Sequence, residues 1–344
     1  MTDKRKIYIR ADGNGEIGMG HVMRCLSIAA AVREEGGSVC FLLAGHDARE
    51  AVEKEGFACV VLGTDYRRME DELPVLEKIL RQSEAESCVF LVDSYFVTEE
   101  YLRALRKWGK VAYMDDMDAF PYPVDAIING NVYGAEMDYS ACEADTQIWG
   151  GLAFAPLRSG FEVHRGKRRE DYILVTTGSS DPYHLAEKIV GFLLRQTWTE
   201  HENICVVCGR FSQSFSALQA MGKQDRRLRI LHDVPDMWNV MNGAKFAITA
   251  AGSTMQELCC MGVPIIGFSF ADNQKKAVFM YAERGYSHYG GDYLALGESM
   301  IGEICRAAEQ LCTDPSLRGR YSSKIMNLVD GEGSYRIAEK LISL

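Results

Sequence analysis

The chain has 344 residues and a formal net charge of −10, with 47% apolar and 25% charged residues. This length favours two α/β domains, and the composition is typical of a globular protein. The acidic balance argues against nucleic-acid binding, and no apolar run is long enough to span a bilayer. Because nothing resembles a signal peptide, we expect a cytoplasmic protein whose eleven cysteines are reduced.

Short apolar runs alternate with helical patterns through the first half of the chain. The alternation predicts βαβ units around a parallel sheet, and therefore a doubly wound Rossmann-like domain over residues 1–157. The predicted strands are 6–11, 38–43, 58–62, 88–93, 111–115 and 125–129, and helices are predicted at 21–36 and 98–108.

A polar segment without periodicity, 158–170, is the predicted linker, and its basic cluster Arg165–Arg169 is expected to be solvated. The alternation then restarts and predicts a second Rossmann-like domain over 171–344. The fold class is therefore α/β, with two domains expected to face each other across a cleft and ligands expected beyond the carboxyl ends of the strands. The predicted strands are 171–176, 203–208, 227–231, 245–249 and 264–268, and the predicted helices are 182–196, 211–221, 235–242, 254–262 and 273–284, followed by a mostly helical region from 298.

A glycine-rich loop follows the first strand and leads into a helix that carries His21 near its start. The glycines of the loop are residues 13, 15, 18 and 20. A GxGxxG string can be traced here, but strand 38–43 ends without the acid that binds ribose in dinucleotide-binding proteins, and no GK[ST] follows. The positive end of a helix dipole disfavours imidazolium, so His21 is a candidate general base. Capping or packing is the alternative role.

The stretch 248–264 predicts a strand, a tight turn and a helix. The turn residues Gly252, Ser253 and Thr254 lie where a helix N-terminus favours a phosphate. Glu257, one helical turn further, is placed to accept hydrogen bonds from ribose hydroxyls, although a solvated helix residue is the alternative. Gly178, in a second Gly/Ser-rich loop, is a further candidate for binding the nucleotide.

Polar residues also end three other predicted strands. Asn273 and Gln274 offer amides to a sugar, with N-capping as the alternative. Tyr95 could hold a substrate or cap the core. The roles of Asp93, Asp115 and Asp116 stay open. A metal site at Asp115-Asp116 is disfavoured because no histidine or further carboxylate is expected nearby, and the DxD spacing of Asp116 and Asp118 often arises by chance.

Two of these segments carry a family resemblance. Ile17-Gly-Met-Gly-His-Val-Met-Arg24 resembles the opening motif of the UDP-2,4-diacetamido-2,4,6-trideoxy-β-L-altropyranose hydrolases of pseudaminic acid biosynthesis and of related spore-coat polysaccharide proteins. The segment from Ala251 to Gln274 is similar to the same family, and to the peptidoglycan glycosyltransferase that adds N-acetylglucosamine. The likeness covers nearly the whole chain and implies the GT-B fold.

The resemblance implies a nucleotide-sugar hydrolase that needs no metal and no cofactor. His21 would activate water, Tyr95 and Asn273 would hold the sugar, and UDP would bind in the second domain. The chain departs from the family at Ser179, where a second glycine is expected, and this leaves the exact sugar open. The implied substrate contacts are Gly18, Gly20, Arg24, Tyr95, Asn273 and Gln274, and the implied UDP contacts are Gly178, Gly252, Ser253, Thr254 and Glu257.

Three other functions are consistent with the same motifs. A GT-B glycosyltransferase would pass a UDP-linked amino sugar to an acceptor, a non-hydrolysing 2-epimerase would isomerise it, and a sensor would bind it without turnover. In each case the expected partner is a small-molecule UDP-sugar, without nucleic acid or membrane insertion. The sequence leaves the oligomeric state open.

Overall fold

The computed structural model describes residues 5–82, 87–166 and 172–344. These residues form two units: one holds the chain up to Arg158 together with Glu332–Leu344, and the other holds Ser159–Gly331. Each unit contains one parallel sheet with helices packed against it, as the predicted fold class requires.

The first unit is built on a seven-stranded sheet with the order β3-β2-β1-β4-β5-β6-β7. Its two central strands carry buried apolar runs, residues 7–9 and 89–92, which is expected of strands covered on both faces. The strands are β1 (Arg5–Ala11), β2 (Ser38–Leu43), β3 (Ala58–Val61), β4 (Ser87–Asp93), β5 (Lys110–Met114), β6 (Ala126–Asn129) and β7 (Gln147–Gly150), and the helices are α1 (Gly20–Glu34), α2 (Arg49–Lys54), α3 (Leu73–Arg81), α4 (Glu99–Arg106) and, at the end of the chain, α14 (Gly333–Ser343).

The second unit is built on a six-stranded sheet with the order β10-β9-β8-β11-β12-β13. Its strands are β8 (Tyr172–Thr176), β9 (Asn203–Cys208), β10 (Leu228–His232), β11 (Ala244–Ala250), β12 (Ile265–Ser269) and β13 (His288–Asp292). Its helices are α5 (Phe161–His164), α6 (Leu185–Leu193), α7 (Phe215–Gln224), α8 (Met237–Asn242), α9 (Ser253–Met261), α10 (Asp272–Glu283), α11 (Tyr293–Leu296), α12 (Ser299–Thr313) and α13 (Pro315–Ile325).

Both sheets reverse their strand order at one point, between β1 and β4 in the first and between β8 and β11 in the second. On either side of this point the connections run in opposite directions, so the loops leave a crevice at the carboxyl ends of the strands. Doubly wound sheets bind ligands there. The two glycine-containing motifs of the sequence follow β1 and β11, so each lies at a switch point.

The structure divides the chain differently from the sequence-based boundaries. The last helix, which we assigned to a C-terminal domain over 171–344, belongs to the first unit and packs against α1. Its apolar face, which includes Ile337 and Leu341, is fully buried there, and the Tyr335 hydroxyl donates to Glu34 over 2.7 Å. Burial of this face determines which unit the helix joins.

The predicted linker 158–170 is corrected in part. Its described portion contains α5, which packs in the second unit against α8 and α9 with Phe161 fully buried, so this portion is part of a core. Residues 167–170, including most of the basic cluster, lie outside the described residues, as does 171, the first residue of a predicted strand.

The eleven cysteines all lie within the described residues and all are free thiols. Among the described helices, none combines the length and apolar character needed to cross a bilayer.

Candidate active site

The glycine loop after β1 is held together by its own hydrogen bonds. Asn14 and Gly18 exchange backbone hydrogen bonds of 3.2 and 2.9 Å, and the Asn14 side-chain oxygen accepts from the amides of Glu16 and Ile17. Gly18 has a φ of +74°, which glycine adopts without strain. Gly18 therefore shapes the turn, whereas Gly20 is exposed as the first residue of α1.

His21, the second residue of α1, is bound to a carboxylate on the neighbouring strand. Its Nδ1 lies 2.6 Å from Oδ1 of Asp93, the last residue of β4. The pair forms because β1 and β4 are adjacent, so Ala11 and Asp93 stand side by side at the carboxyl ends. When Nδ1 donates its proton to a carboxylate, the other ring nitrogen, Nε2, is left as the proton acceptor.

Arg24, one turn further along α1, binds the same carboxylate with two nitrogens. Its Nε donates to Oδ2 of Asp93 over 2.6 Å and its Nη2 to Oδ1 over 2.5 Å. The Cys25 thiol also faces Oδ2, at 3.5 Å. Since Asp93 is only 1% exposed, its negative charge is satisfied within this cluster. The contact of Arg24 with the substrate stays a prediction. In this structure the Arg24 guanidinium is bound to Asp93.

The ionisation of Asp93 is strongly favoured. Burial opposes it, but the charges and hydrogen bonds of Arg24 and His21 outweigh burial and hold the pKa of Asp93 well below its usual value. The folded state therefore gains stability from this carboxylate above its ordinary pKa of about 3.9, and loses that gain as the pH falls toward the folded-state pKa.

Tyr95 lies over His21, with ring centroids 4.8 Å apart in an edge-to-face arrangement. Its hydroxyl donates to Oδ2 of Asp116 over 2.9 Å, and Nη1 of Arg24 lies 3.9 Å from the same oxygen. Oδ1 of Asp116 is buried and has no hydrogen-bond partner among the described residues. Burial raises the pKa of Asp116 against the opposing influence of Arg24.

A small pocket of about 10 Å³ opens beside His21. A volume of this size is about what one water molecule needs, and a water requires polar partners as well as room. Its lining residues are Asp12, Ile17, His21, Asp93, Ser94, Tyr95 and Phe96.

Asp12, which lines this pocket, belongs to a buried ion cluster that was not predicted from the sequence. Arg10 on β1 is fully buried and binds Glu72 through two hydrogen bonds, of 2.8 and 2.5 Å, and also binds Asp12. Asp12 in turn accepts from the backbone amide of Ala44 over 2.8 Å. The cluster thus fixes the start of the loop that carries His21. The sequence signal for it was an arginine directly after the apolar run 7–9, at the carboxyl end of the strand.

Asp115 and Asp116 have different roles, although they are adjacent. Asp115 accepts hydrogen bonds from the hydroxyls of Tyr122 and Tyr139, over 2.7 and 2.6 Å, and from the amide of Asp118, which has a φ of +51°. It therefore stabilises the turn after β5. Within the described parts of the chain, no group of three or more His, Cys, Asp or Glu residues is arranged to hold a metal ion.

The loop after β8, at the second switch point, packs against the loop after the neighbouring strand β9. Gly178, after β8, has a φ of +89°, and a Cβ at Gly209 after β9 would lie 2.3 Å from the Gly178 carbonyl, so both positions require glycine. Asp181 is buried and accepts from the first amides of α6, over 2.8 and 3.0 Å. The Thr177 hydroxyl is buried without a hydrogen-bond partner among the described residues.

Helix α9 begins at Ser253 beside this loop. Gly252 is its N-cap and no side chain among the described residues caps it, so its first turn presents backbone N–H groups at the carboxyl edge of the sheet. Ser253 is exposed and Thr254 half-buried, whereas Glu257 is buried one turn further on. An uncapped helix N-terminus at a switch point is a favourable place for a diphosphate.

Asn273 and Gln274 lie on the first turn of α10, after β12, which neighbours β11. Asn273 is exposed. The Gln274 side-chain oxygen accepts from the Phe270 amide over 2.9 Å, so it stabilises its own loop. The structure therefore brings together His21, Arg24 and Tyr95 in the first unit, and places the predicted nucleotide contacts on adjacent strand ends of the second.

The two doubly wound parallel sheets define the class of fold, which is that of the GT-B glycosyltransferases and UDP-sugar epimerases. CalG4, the calicheamicin glycosyltransferase, matches with a TM-score of 0.68 over 98% of both chains, at 13% identity. A UDP-GlcNAc 2-epimerase from Neisseria meningitidis matches with a TM-score of 0.65 over 98% of this chain and all of that chain, at 10% identity. At such identities the likeness shows the fold alone.

Two relatives are similar in sequence over most of their length. The spore coat polysaccharide biosynthesis protein SpsG of Bacillus subtilis is 25% identical, with 98% of each chain covered. The UDP-2,4-diacetamido-2,4,6-trideoxy-β-L-altropyranose hydrolase of Campylobacter jejuni is 20% identical, with 82% of this chain and 97% of that one covered. The protein is a distant homologue of both. No protein-family model matches the chain.

Proposed function

We propose that the protein is a metal-independent hydrolase that removes UDP from a UDP-2,4-diacetamido-2,4,6-trideoxy hexose, as in pseudaminic acid biosynthesis. The observation that carries the proposal is the contact between His21 and Asp93 beside a water-sized pocket at the first switch point. The distant homology to a hydrolase of that substrate supports the choice of reaction.

The reaction would be a single displacement. His21 Nε2 accepts a proton from water while the water oxygen forms a bond to the anomeric carbon of the sugar. The bond between that carbon and the β-phosphate oxygen breaks, and UDP leaves with the bonding electrons. The uncapped N-terminus of α9 would stabilise the negative charge that develops on the leaving group. The products are UDP and the free sugar, with inversion at the anomeric carbon.

A glycosyltransferase that uses a UDP-amino sugar is the second candidate. Solved structures that share the fold include glycosyltransferases, so the fold is compatible with this alternative. Both reactions need a base and a site for UDP, and they differ in whether water or an acceptor hydroxyl attacks.

The reaction is tested by incubating the protein with UDP-2,4-diacetamido-2,4,6-trideoxyaltrose and its legionaminic-pathway analogue, and following the anomeric signals by NMR. We expect UDP and free sugar to form at equal rates, and we expect these rates to stay the same when acceptor sugars are added. Release that depends on an acceptor would support the glycosyltransferase instead. An isomerised UDP-sugar without free sugar would support an epimerase, and binding without turnover would support a sensor.

We expect Glu257 to recognise the ribose of UDP through its 2′-hydroxyl. A hydrogen bond to a charged group contributes about 1.5–3 kcal/mol, so the wild type should bind UDP at least about tenfold more tightly than 2′-deoxy-UDP. The Glu257→Gln variant should lose most of this preference in calorimetric titrations. The exposed Glu283→Gln variant is the matched control and should retain it. An unchanged preference in Glu257→Gln would remove Glu257 from the nucleotide site.

A further inference from the structure

Arg24 and Asp93 form an ion pair directly behind His21, and this pair has a function beyond binding the ring. Both Asp93 oxygens are bound by Arg24, and Oδ1 is shared with the imidazole. The His21 nitrogen and Arg24 Nη2 lie 3.2 Å apart, because they converge on this one oxygen. The imidazole is therefore in contact with one negative and one positive group at once.

These two neighbours have opposite effects on the charge of the imidazole. A carboxylate next to a histidine stabilises imidazolium, while a guanidinium at the same distance destabilises it. A ring that donates to an unpaired buried carboxylate would hold its proton tightly and would be a poor base near neutral pH. A carboxylate that is already paired with an arginine still accepts the Nδ1 hydrogen bond, but attracts the second proton much less.

We infer that Arg24 and Asp93 act as a charge-compensated positioning pair for His21, in which Asp93 fixes the tautomer and Arg24 keeps the ring neutral. This inference rests on the proposed function, since it concerns the base of that reaction. It assigns to Arg24 a role in tuning the base in place of the substrate contact expected from the sequence. Neither residue needs to touch the substrate to act in this way.

Other ionisable groups surround the ring and enter the pH dependence. They come from the loop before α1, from α1 itself, from the segment after β4 and from the loop after β5. These groups are Asp12, Cys25, Tyr95 and Asp116. None of these four residues is substituted in the variants below. Arg24 also lies 3.9 Å from Asp116, so Arg24→Gln alters the surroundings of Asp116 as well, and Arg24→Lys, which keeps the charge, is the comparison for that effect.

The pair can be tested by the opposite signs of two substitutions. Asp93→Asn keeps the shape but removes the negative charge, so the acidic limb of the kcat profile should move to lower pH. Arg24→Gln leaves the carboxylate uncompensated, so the same limb should move up by about one pH unit or more, equivalent to about tenfold in proton affinity. In both variants kcat should fall about 10- to 100-fold, because a catalytic group misplaced by about 1 Å can lose about 100-fold in rate, with KM changed less than about threefold.

Matched variants control for charge and for folding. Arg33→Gln removes an exposed arginine from the last turn of the same helix, and Asp118→Asn alters an exposed aspartate after β5, in a left-handed conformation that asparagine also adopts. Both should keep the wild-type profile. Arg24→Lys keeps the positive charge and should return the limb close to its wild-type position.

The tautomer can be observed without turnover. In a protein labelled with ¹⁵N-histidine, the His21 signals, assigned by their loss in His21→Ala, should show a protonated Nδ1 and a bare Nε2 in the wild type. If Arg24→Gln fails to fold, this measurement and the pH profiles of Arg24→Lys and Asp93→Asn together test the positioning pair.

The possible outcomes separate this inference from the proposed function. A wild-type profile without an acidic limb would contradict the role of His21 as a base, and with it both proposals. If the wild type has an acidic limb, but Asp93→Asn and Arg24→Gln move that limb in the same direction or do not move it, only the positioning pair is overturned. A large rise in KM for Arg24→Gln with an unmoved limb would restore Arg24 as a substrate contact.

Discussion

Replacing His21 by alanine is expected to lower kcat about 10²- to 10⁴-fold, the usual contribution of a positioned general base. UDP affinity should change less than about threefold, because the nucleotide contacts are assigned to the second unit. The measurement is steady-state release of UDP combined with calorimetric titration of UDP. The substitution removes a ring that is 8% exposed, so thermal unfolding of the variant should be measured alongside.

The matched control for His21 is His46→Ala. His46 lies in the same unit, after β2, and its side chain is exposed. This variant should turn over at the wild-type rate. If His21→Ala also retained normal turnover, another group would have to activate the water and the assignment of the base would be wrong. If it lost UDP binding in proportion to activity, His21 would belong to the nucleotide site.

The second large effect is expected in stability. Arg10→Met should lower the free energy of unfolding by about 3–5 kcal/mol, because it leaves the fully buried Glu72 carboxylate without its cation. Urea unfolding followed by circular dichroism measures this loss. The exposed Arg33→Met variant should lose less than about 2 kcal/mol, because it removes only an exposed hydrogen bond to the Glu55 carbonyl and a cation–π contact with Phe57.

A double variant separates the cost of an unpaired charge from the loss of packing. Arg10→Met with Glu72→Leu removes both charges and should recover at least half of the loss, since apolar replacements of a buried pair are often neutral. Recovery should be incomplete because Asp12 also binds Arg10. A loss below about 1 kcal/mol for Arg10→Met alone would show that the cluster does not stabilise the fold.

The fold class could be predicted from the sequence, and the structure confirms it. The apolar runs that became β1, β2 and β9 are bounded by polar segments, and they match the observed strands to within a residue. Strand β7 was missed, since two of its four residues are exposed and it lacks a buried apolar run. The pattern of the last helix predicted a buried face but carried no information on which unit would bury it.

The partners of the candidate base were harder to predict. His21 and Asp93 are 72 positions apart, and only the adjacency of β1 and β4 brings them together. A doubly wound sheet has this adjacency at its switch point, so the strand order supplies a signal that periodicity does not. The double contact of Arg24 with Asp93 depends on side-chain geometry, which can be predicted neither from the hydrophobic pattern of the sequence nor from the strand order of the sheet.

Labelling from water tests the central claim most directly. The wild-type protein is incubated with the UDP-sugar in H₂¹⁸O, and both products are analysed by mass spectrometry before the free sugar exchanges its anomeric oxygen. Attack of an activated water on the anomeric carbon predicts one ¹⁸O in the sugar and none in UDP. Label in the phosphate of UDP, or unlabelled sugar bonded to an acceptor, would contradict it.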